Sequence, residues 1–367
     1  MKILAIETSC DDTCVALIEA VGKKQVKLNI LSNVVSSQNE IHQKWGGIYP
    51  LLAKREHQRN LPLVLRKALK QGDKQGLSRI DAIAVTVGPG LEPCLWTGVN
   101  FAKGLAHNWN LPIIPINHIE AHIAANLVSV NYKSQIAQPR LAVEARQTNY
   151  KNLFPAICLV VSGGHTQLIL MRDFGKYKIL GETRDDAAGE CFDKTARILG
   201  LGYPGGPAIA ATAAKFSIHN FQFSIKLPRP MIYQKNYDFS FSGLKTAVLY
   251  KAQSTKRKAL SEKFIQAMCQ EIQQAIIDVL LYKTLRAAKD YNVQTIILGG
   301  GVIANKELQK QFKKKIKKEI PNSKLCIPAP NMRADNAVMI GITGYFLWLK
   351  KEIKIWKNIK AKANLRI

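Results

Sequence analysis

The chain has 367 residues, of which 47% are hydrophobic, so two folded domains are expected rather than one small core. Its formal net charge is +27 at pH 7. It holds no apolar stretch long enough to cross a bilayer and opens without a signal peptide, which predicts a cytoplasmic protein with no membrane anchor. Its seven cysteines are scattered and form no Cys-x-x-Cys pair, which predicts reduced thiols and argues against a zinc–thiolate site.

The first predicted element is a β-hairpin with a polar tip. Apolar runs at residues 2–9 and 14–19 flank the tight turn Cys10-Asp11-Asp12-Thr13. Hydroxyl and backbone N–H groups at such a tip can hold a phosphate, and Asp11 or Asp12 can carry a cation or a proton.

A strand, a glycine turn and a helix come next. Residues 82–87 are an apolar run that predicts a strand, Gly88-Pro89-Gly90 predicts a turn, and residues 97–107 predict an amphipathic helix. A glycine-rich turn that opens a helix is a site for anions, although any one such cluster can also be only a tight turn.

A pair of histidines follows the next predicted strand, at residues 111–116. Asn117 favours the start of a helix, in which His118 and His122 lie one turn apart on the same face. Both imidazoles could then bind one metal ion. Asp335 is the candidate that completes a site of two histidines and one carboxylate, with open positions for substrate. The alternative is that two histidines share a helix face by chance.

The second half repeats the arrangement of the first. Residues 156–161 and 167–171 predict another hairpin, with the tip Ser162-Gly163-Gly164-His165-Thr166. Residues 295–298 then predict a strand that leads into Gly299-Gly300-Gly301 and a helix. This weak internal duplication predicts an α/β fold with two actin-like lobes that hold phosphate between their tips.

Further elements are predicted from hydrophobic periodicity. Helices are predicted at residues 53–70, 185–200, 261–290 and 336–349, and a strand at residues 221–230. The segment 185–200 carries an acidic cluster that could bind a metal or a ribose, or could be solvated helix charge, and its members are Asp185, Asp186, Glu190 and Asp193.

These patterns divide the chain into two lobes. We expect an N-terminal lobe at residues 1–130 plus 331–350, a linker or insertion at 131–154, a C-terminal lobe at 155–330 and a basic tail at 351–367. The tail and the high net charge favour a nucleic acid, tRNA in particular, as a partner. The alternative is a solvated end in a lysine-rich chain from an AT-biased genome.

Together, the motifs resemble the family of tRNA threonylcarbamoyl-adenosine transferases, formerly classed as O-sialoglycoprotein endopeptidases. The resemblance runs in the family's order over about the whole chain up to the tail. It rests on these stretches: Glu7-Thr8-Ser9-Cys10-Asp11-Asp12-Thr13, Gly88-Pro89-Gly90-Leu91, Asn117-His118-Ile119-Glu120-Ala121-His122, Ser162-Gly163-Gly164-His165-Thr166, Asp185-Asp186-Ala187-Ala188-Gly189-Glu190 with Phe192-Asp193-Lys194, Tyr203-Pro204-Gly205-Gly206-Pro207, Phe239-Ser240-Phe241-Ser242-Gly243-Leu244-Lys245, Gly299-Gly300-Gly301-Val302 with Ala304-Asn305, and Asp335-Asn336.

The resemblance implies two actin-like, ribonuclease H-like lobes with a cleft for nucleotide and metal between them. It implies one Fe²⁺ per subunit, with Zn²⁺ possible, held by His118, His122 and Asp335. It also implies a set of residues that contact nucleotide and substrate: Val160, Val161, Ser162, Gly163, Gly164, Asp193, Gly206 and Asn305.

The implied reaction moves a threonylcarbamoyl group from threonylcarbamoyl-AMP to N6 of adenosine 37, beside the anticodon, in tRNAs that read codons starting with A, and releases AMP. Asp11 is the candidate that accepts or orients the proton of the acceptor amine. Family members usually work with a paralogous actin-like subunit and a small P-loop ATPase.

Three rival functions share part of these features. An actin-like ATPase or kinase has the lobes and phosphate tips but does not need the histidine pair. A metalloprotease needs a glutamate beside its first histidine, and Glu120 stands in the wrong position. A non-catalytic scaffold would be expected to lose the pair. The chain departs from the family pattern at Ala334, at Ala210 and at Glu92-Pro93-Cys94.

Overall fold

A computed structural model describes residues 1–23, 26–72, 79–132, 150–216, 225–254 and 261–367. The chain divides into two compact units. Unit 1 comprises Met1–Glu40, Ile48–Leu153 and Pro328–Ile367, and unit 2 comprises Ile41–Gly47 and Phe154–Ile327. Among the described residues, no helix is both long and apolar enough to cross a membrane.

The described strands and helices are numbered in chain order. The strands are β1 (Lys2–Glu7), β2 (Asp12–Val21), β3 (Lys27–Ser37), β4 (Ala82–Gly88), β5 (Ile113–Asn117), β6 (Ser129–Tyr132), β7 (Ala156–Val161), β8 (Thr166–Asp173), β9 (Lys176–Glu182), β10 (Thr295–Gly299) and β11 (Lys324–Cys326). The helices are α1 (Asn39–Gln43), α2 (Pro50–Gly72), α3 (Glu92–Trp109), α4 (His118–Ala124), α5 (Ala188–Ile198), α6 (Gly205–Ala213), α7 (Ser242–Ser254), α8 (Glu262–Asp290), α9 (Lys306–Glu319) and α10 (Ala337–Leu349).

The two units carry sheets with the same strand order. The sheet of unit 1 runs β5-β4-β1-β2-β3-β6, and that of unit 2 runs β11-β10-β7-β8-β9. In each sheet the first three strands are antiparallel neighbours, and the next two add in parallel beside the first. The exception is β6, which pairs in parallel with β3. The predicted duplication is therefore confirmed, and the fold is α/β with two actin-like lobes.

The central strands end where the candidate site residues begin. Strands β4, β7 and β10 are buried along their whole length, as expected for strands covered on both faces. Because parallel neighbours end at the same edge of a sheet, the loops after β1, β4 and β5 share one edge in unit 1. The loops after β7 and β10 share the corresponding edge in unit 2.

Helix α10 brings a distant part of the chain into unit 1. It is apolar on nearly every face and packs against β1, β2 and α4. A Cβ at Gly341 would lie 2.8 Å from the Ile18 side chain, so the helix approaches the sheet closely. Asn336 caps its first turn by accepting a hydrogen bond from the N–H of Met339 at 3.0 Å. Asp335 is therefore fixed just before a buried helix start.

Several predicted boundaries need correction. Helix α3 begins at Glu92 rather than at residue 97, because Pro93 is well tolerated in a first turn. The helix predicted from residue 185 begins at Ala188. The strand predicted at 221–230 is wrong where it is described: residues 225–229 form no regular structure, and prolines lack the N–H that a strand needs.

The predicted insertion at 131–154 is described only at its ends. Residues 131 and 132 complete β6, and Tyr150–Leu153 form a short 3-10 helix. Residues 133–149 lie outside the described ranges.

The basic tail packs against unit 1. The backbone N–H of Lys354 donates to the carbonyl of Ile113 at 3.0 Å, and that of Lys362 donates to Val87 at 2.7 Å. Ile359 is buried in the core of unit 1, with Trp356 packed beside it. The structure therefore places residues 351–367 in unit 1, whereas the sequence analysis set them apart.

Candidate functional site

Helix α4 presents the two histidines. Asn117 caps it, because its side-chain oxygen accepts hydrogen bonds from the N–H groups of Ile119 at 2.9 Å and Glu120 at 3.2 Å. His118 and His122 are buried, with ring centroids 4.7 Å apart and ring planes at 82°. The predicted helix start at Asn117 is confirmed.

Asp335 reaches both histidines. Its Oδ1 lies 3.5 Å from Nε2 of His118 and 3.2 Å from Nε2 of His122. The ligand atoms of the three residues all lie within 4.8 Å of one another. Ligands that share one ion at about 2.1 Å, at right or tetrahedral angles, are themselves about 3.0–3.4 Å apart. The two distances from Oδ1 of Asp335 to the histidine nitrogens are close to that spacing.

The donor set fits a transition metal. Nε2 of His122 is buried, and within the described ranges it makes no hydrogen bond of good geometry, although it lies 3.2 Å from Oδ1 of Asp335. Burial lowers the pKa of His122, which favours the neutral ring that can coordinate an ion. Imidazole and carboxylate together are ligands that suit iron and zinc.

Glu7, at the end of β1, holds the ring of His118 from the other side. One of its oxygens, Oε2, accepts hydrogen bonds from Nδ1 of His118 at 3.1 Å and from the hydroxyl of Thr86 at 2.6 Å. The other oxygen accepts from the N–H of Ser9. Because an ionised carboxylate only accepts, Nδ1 carries a proton and Nε2 is left to face Asp335.

The charges of this cluster stabilise one another. Burial tends to lower the pKa of His118, but the carboxylates of Asp335 and Glu7 outweigh it and raise that pKa to about 9. Burial tends to raise the pKa of Glu7, but His118 outweighs it and holds that pKa below the ordinary value. A metal ion would take the place of the second proton of His118, the one on Nε2, while Nδ1 keeps its own.

A buried histidine of α2 shapes the turn that carries the candidate proton acceptor. Nε2 of His57 donates to the carbonyl of Cys10 at 3.0 Å, and its Nδ1 accepts from the hydroxyl of Thr13 at 2.8 Å. Burial, reinforced by Asp11, raises the pKa of Asp12 to about 7. The turn thus gives a near-neutral pKa to Asp12, whereas the sequence analysis chose Asp11 as the proton acceptor.

In unit 2, the predicted nucleotide contacts other than Asn305 lie near the starts of α5 and α6. The end of β7 and its tip supply Val160, Val161, Ser162, Gly163 and Gly164. The tip lies against α5, because the N–H of Gly189 donates to the carbonyl of Ser162 at 3.2 Å. A Cβ at Gly163, Gly164 or Gly206 would meet no atom of the described residues within 4 Å, so a ligand can approach the backbone there.

Two of the predicted side chains already hold helix starts. Oδ1 of Asp193 accepts a hydrogen bond from the N–H of Gly205 at 2.7 Å, and burial raises the pKa of Asp193. Oδ1 of Asn305 accepts from the N–H of Leu308 at 3.0 Å, and its amide nitrogen donates to Gln273 at 2.7 Å. Both residues therefore set the positions of loops beside the open glycines.

Sequence reasoning assigned no role to four residues that shape the site: Glu7, Ser9, His57 and Thr86. One signal was available, because a charged or polar side chain inside an otherwise apolar strand, as at Glu7 and Thr86, indicates a buried polar partner. His57 lies within a long helix and gave no such signal.

Comparisons with known proteins agree with the motifs. A family model described as "TsaD: tRNA N6-adenosine threonylcarbamoyltransferase" matches residues 29–342. Curated proteins of that name include one from Thermosipho africanus, which is 44% identical over 100% of both chains. Another, from Thermosipho melanesiensis, is 45% identical over 95% of each chain, and one from Geobacillus kaustophilus is 42% identical over 94% of this chain and 91% of its own.

A solved structure resembles the fold. HypF of T. kodakarensis superposes on 98% of this chain with a TM-score of 0.55, at 13% sequence identity. This chain covers 49% of the HypF chain, and the likeness concerns the fold alone. The family match extends over most of the sequence, and the curated relatives match along nearly their whole length. The chain therefore belongs to the tRNA N6-adenosine threonylcarbamoyltransferase family and is an enzyme of the transferase class.

Proposed function

We propose that this chain transfers a threonylcarbamoyl group from threonylcarbamoyl-AMP to N6 of adenosine 37 in tRNAs that read codons starting with A, and releases AMP. The names of its relatives support tRNA as the substrate and N6 of an adenosine as the acceptor. The observation that carries the proposal is the convergence of His118, His122 and Asp335 in a chain of this family. An actin-like kinase has no use for such a cluster.

The reaction exchanges one bond for another. The N6 nitrogen forms a bond to the carbonyl carbon, the bond from that carbon to the phosphate oxygen breaks, and AMP leaves with the electron pair. The donor is a mixed anhydride, so its leaving group needs little help. The acceptor amine is conjugated with the adenine ring and is a poor nucleophile. The chain must therefore hold both reactants in contact and accept the amine proton.

The metal-binding part of the proposal concerns unit 1. His118, His122 and Asp335 would hold Fe²⁺, with Zn²⁺ as the alternative. When bound, the ion would act as a Lewis acid on the carbonyl oxygen of the donor. Glu7 keeps the proton of His118 on Nδ1 and so leaves Nε2 for the ion.

The proton acceptor is assigned to the turn after β1. Asp11 is our first choice, and Asp12 is the second candidate because a pKa of about 7 suits a base at neutral pH. The Asp11→Asn and Asp12→Asn variants separate the two. The residue whose variant loses the lower ionisation from the pH profile of the rate is the acceptor. A residue whose variant keeps near-full turnover is not the acceptor.

The nucleotide part of the proposal concerns unit 2. The backbone N–H groups of Gly163, Gly164 and Gly206 would hold the AMP portion, while Asp193 and Asn305 keep their loops in place. The adenosine that reacts must leave its stack to be reached. We assign a paralogous actin-like subunit and a small P-loop ATPase as partners.

The test is product formation on tRNA. The purified chain is incubated with threonine, bicarbonate, ATP, tRNA and the expected partners, and the nucleosides are analysed by mass spectrometry. Threonylcarbamoyladenosine is expected with the wild type and with His107→Ala, an exposed histidine outside the cluster, and none with His122→Ala. ATP hydrolysis without a tRNA product, unchanged by His122→Ala, would instead assign an actin-like ATPase.

A further inference from the structure

The last residues of the chain form a strap along unit 1, here defined as residues 359–367. Its side chains alternate. Ile359 is buried, and the other residues on the inward side, Ala361, Ala363 and Leu365, are partly buried. The residues between them are exposed and mostly basic: Lys360, Lys362, Asn364 and Arg366. One side of the strap is therefore anchored in the core, and the other presents positive charge to solvent.

Backbone hydrogen bonds attach the strap to the loops at the site edge. The N–H of Lys362 donates to Val87 at 2.7 Å, and the N–H of Gly90 donates to Ala363 at 3.1 Å. Gly88 is required beneath it, because its φ is +150° and a Cβ there would lie 1.9 Å from the carbonyl oxygen of Lys362. The strap is thus a built part of unit 1.

The strap ends next to the candidate metal centre. The side-chain amide of Asn117, which caps α4, donates to the carbonyl of Arg366 at 3.2 Å, and His118 is the next residue. A second set of contacts connects the strap to His118 through the loop that holds Gly90 and Leu91. The N–H of Leu91 donates to the carbonyl of Ser9 at 2.8 Å, and the Ser9 hydroxyl lies 3.2 Å from Nδ1 of His118.

Two exposed charges on the outward face, those of Lys360 and Lys362, are available for a ligand. Among the described residues, Lys360 and Lys362 make no ion pair. The strap lies beyond residue 342, where the family match ends. A row of basic side chains beside a catalytic centre, in a chain of net charge +27, is complementary to a nucleic-acid backbone.

We propose that the outward face of the strap binds the phosphate backbone of RNA and so positions it at the candidate metal centre. The identity of that RNA as tRNA rests on the proposed function, but binding by the strap is measured separately from the reaction. The contacts are to phosphates, so they add affinity and orientation without reading base sequence.

The test compares two triple variants that each remove three positive charges. K360Q/K362Q/R366Q alters the strap, and K313Q/K314Q/K317Q alters exposed lysines of α9 in unit 2. Affinity for unmodified tRNA is measured by filter binding across a salt series. The strap variant should bind roughly 10- to 100-fold more weakly near physiological salt, and its plot of log affinity against log salt should be shallower by about 2–3. The α9 variant should bind as the wild type does.

Melting temperature and metal content should be unchanged in the strap variant, because the altered side chains point to solvent. In the tRNA assay its KM for tRNA should rise while kcat is retained. Equal losses in both variants would show a general charge effect and overturn the proposal, as would wild-type tRNA binding by the strap variant. Selective loss of binding to anionic lipid vesicles, with tRNA binding intact, would also overturn it. Absence of any modified nucleoside with the wild type would refute the proposed function and leave the binding result standing.

Discussion

Glu7 determines which nitrogen of His118 is offered to a metal. It is fully buried, and its oxygens accept from His118, Thr86 and Ser9. Such partners behind a ligand typically raise metal affinity by about 10- to 100-fold. We expect Glu7→Gln to weaken metal binding by a factor of that order, measured by competition with a chromophoric chelator. Thr86→Val keeps the carboxylate of Glu7 and should weaken metal binding less. Equal metal affinities of Glu7→Gln and wild type would contradict the role of Glu7.

Asp12 makes stability depend on pH in the metal-free protein. Its folded pKa is about 7, above the ordinary value of 3.8, so the folded state holds the proton more tightly than the unfolded state does. The resulting stabilisation is complete below about pH 4 and is lost as the pH rises through 7. Three pKa units correspond to up to about 4 kcal/mol.

Asp12→Asn should therefore be more stable than wild type at pH 8 and show little of that gain at pH 4. Urea denaturation of both proteins in the presence of a chelator measures the two differences. A gain of the same size at both pH values would rule out titration of Asp12 as its cause.

At the scale of elements, α4 depends on one residue at its start. Asn117 caps this short helix and also binds the strap at Arg366. Asn117→Ala removes both interactions and should cost about 1–2 kcal/mol of unfolding free energy. Asn117→Asp cannot donate to the Arg366 carbonyl, but it still caps the helix. Because the cap is kept, Asn117→Asp should retain metal affinity, whereas Asn117→Ala should lose part of it. Equal losses in the two variants, by chelator competition, would show that the cap does not position the histidines.

Elements set by local pattern could be predicted from the sequence, and those set by distant contacts could not. The cap at Asn117 and the long helix α8 follow from residue types and periodicity over a few turns. The start of α3 was missed, because Pro93 was considered only as a departure from the family pattern. The roles of Glu7 and His57 depend on which strand lies beside which, and spacing along the chain does not encode that.

The meeting of Asp335 with the histidine pair was a prediction that the geometry supports. Asp335 was singled out by its place before a predicted helix and by the family resemblance, because spacing along the chain does not show which residues meet in space. The general base is a different case, because Asp11 and Asp12 are neighbours in sequence and the raised pKa of Asp12 comes mainly from burial. Burial at the level of a single side chain is a property of the packed structure.

At the scale of the whole molecule, the proposed metal ligands belong to one unit. His118, His122 and Asp335 all lie in unit 1, so metal binding should stabilise that unit, by about 2.7 kcal/mol at a free metal concentration 100 times Kd. Hydrogen exchange monitored by mass spectrometry should slow in β1, α4 and the start of α10. It should not change in β7 or α5, and His122→Ala should remove the effect. Equal slowing in both units would contradict a site confined to unit 1.

Unit 1 is built from segments on both sides of unit 2, and this has a consequence for biosynthesis. The ribosome makes His118 and His122 early, then the main segment of unit 2, Phe154–Ile327, and Asp335 only afterwards. A nascent chain that has already completed unit 2 still lacks the carboxylate of the site. Capture of the proposed ion would therefore have to wait for nearly full-length translation, and products of premature termination would be left without it.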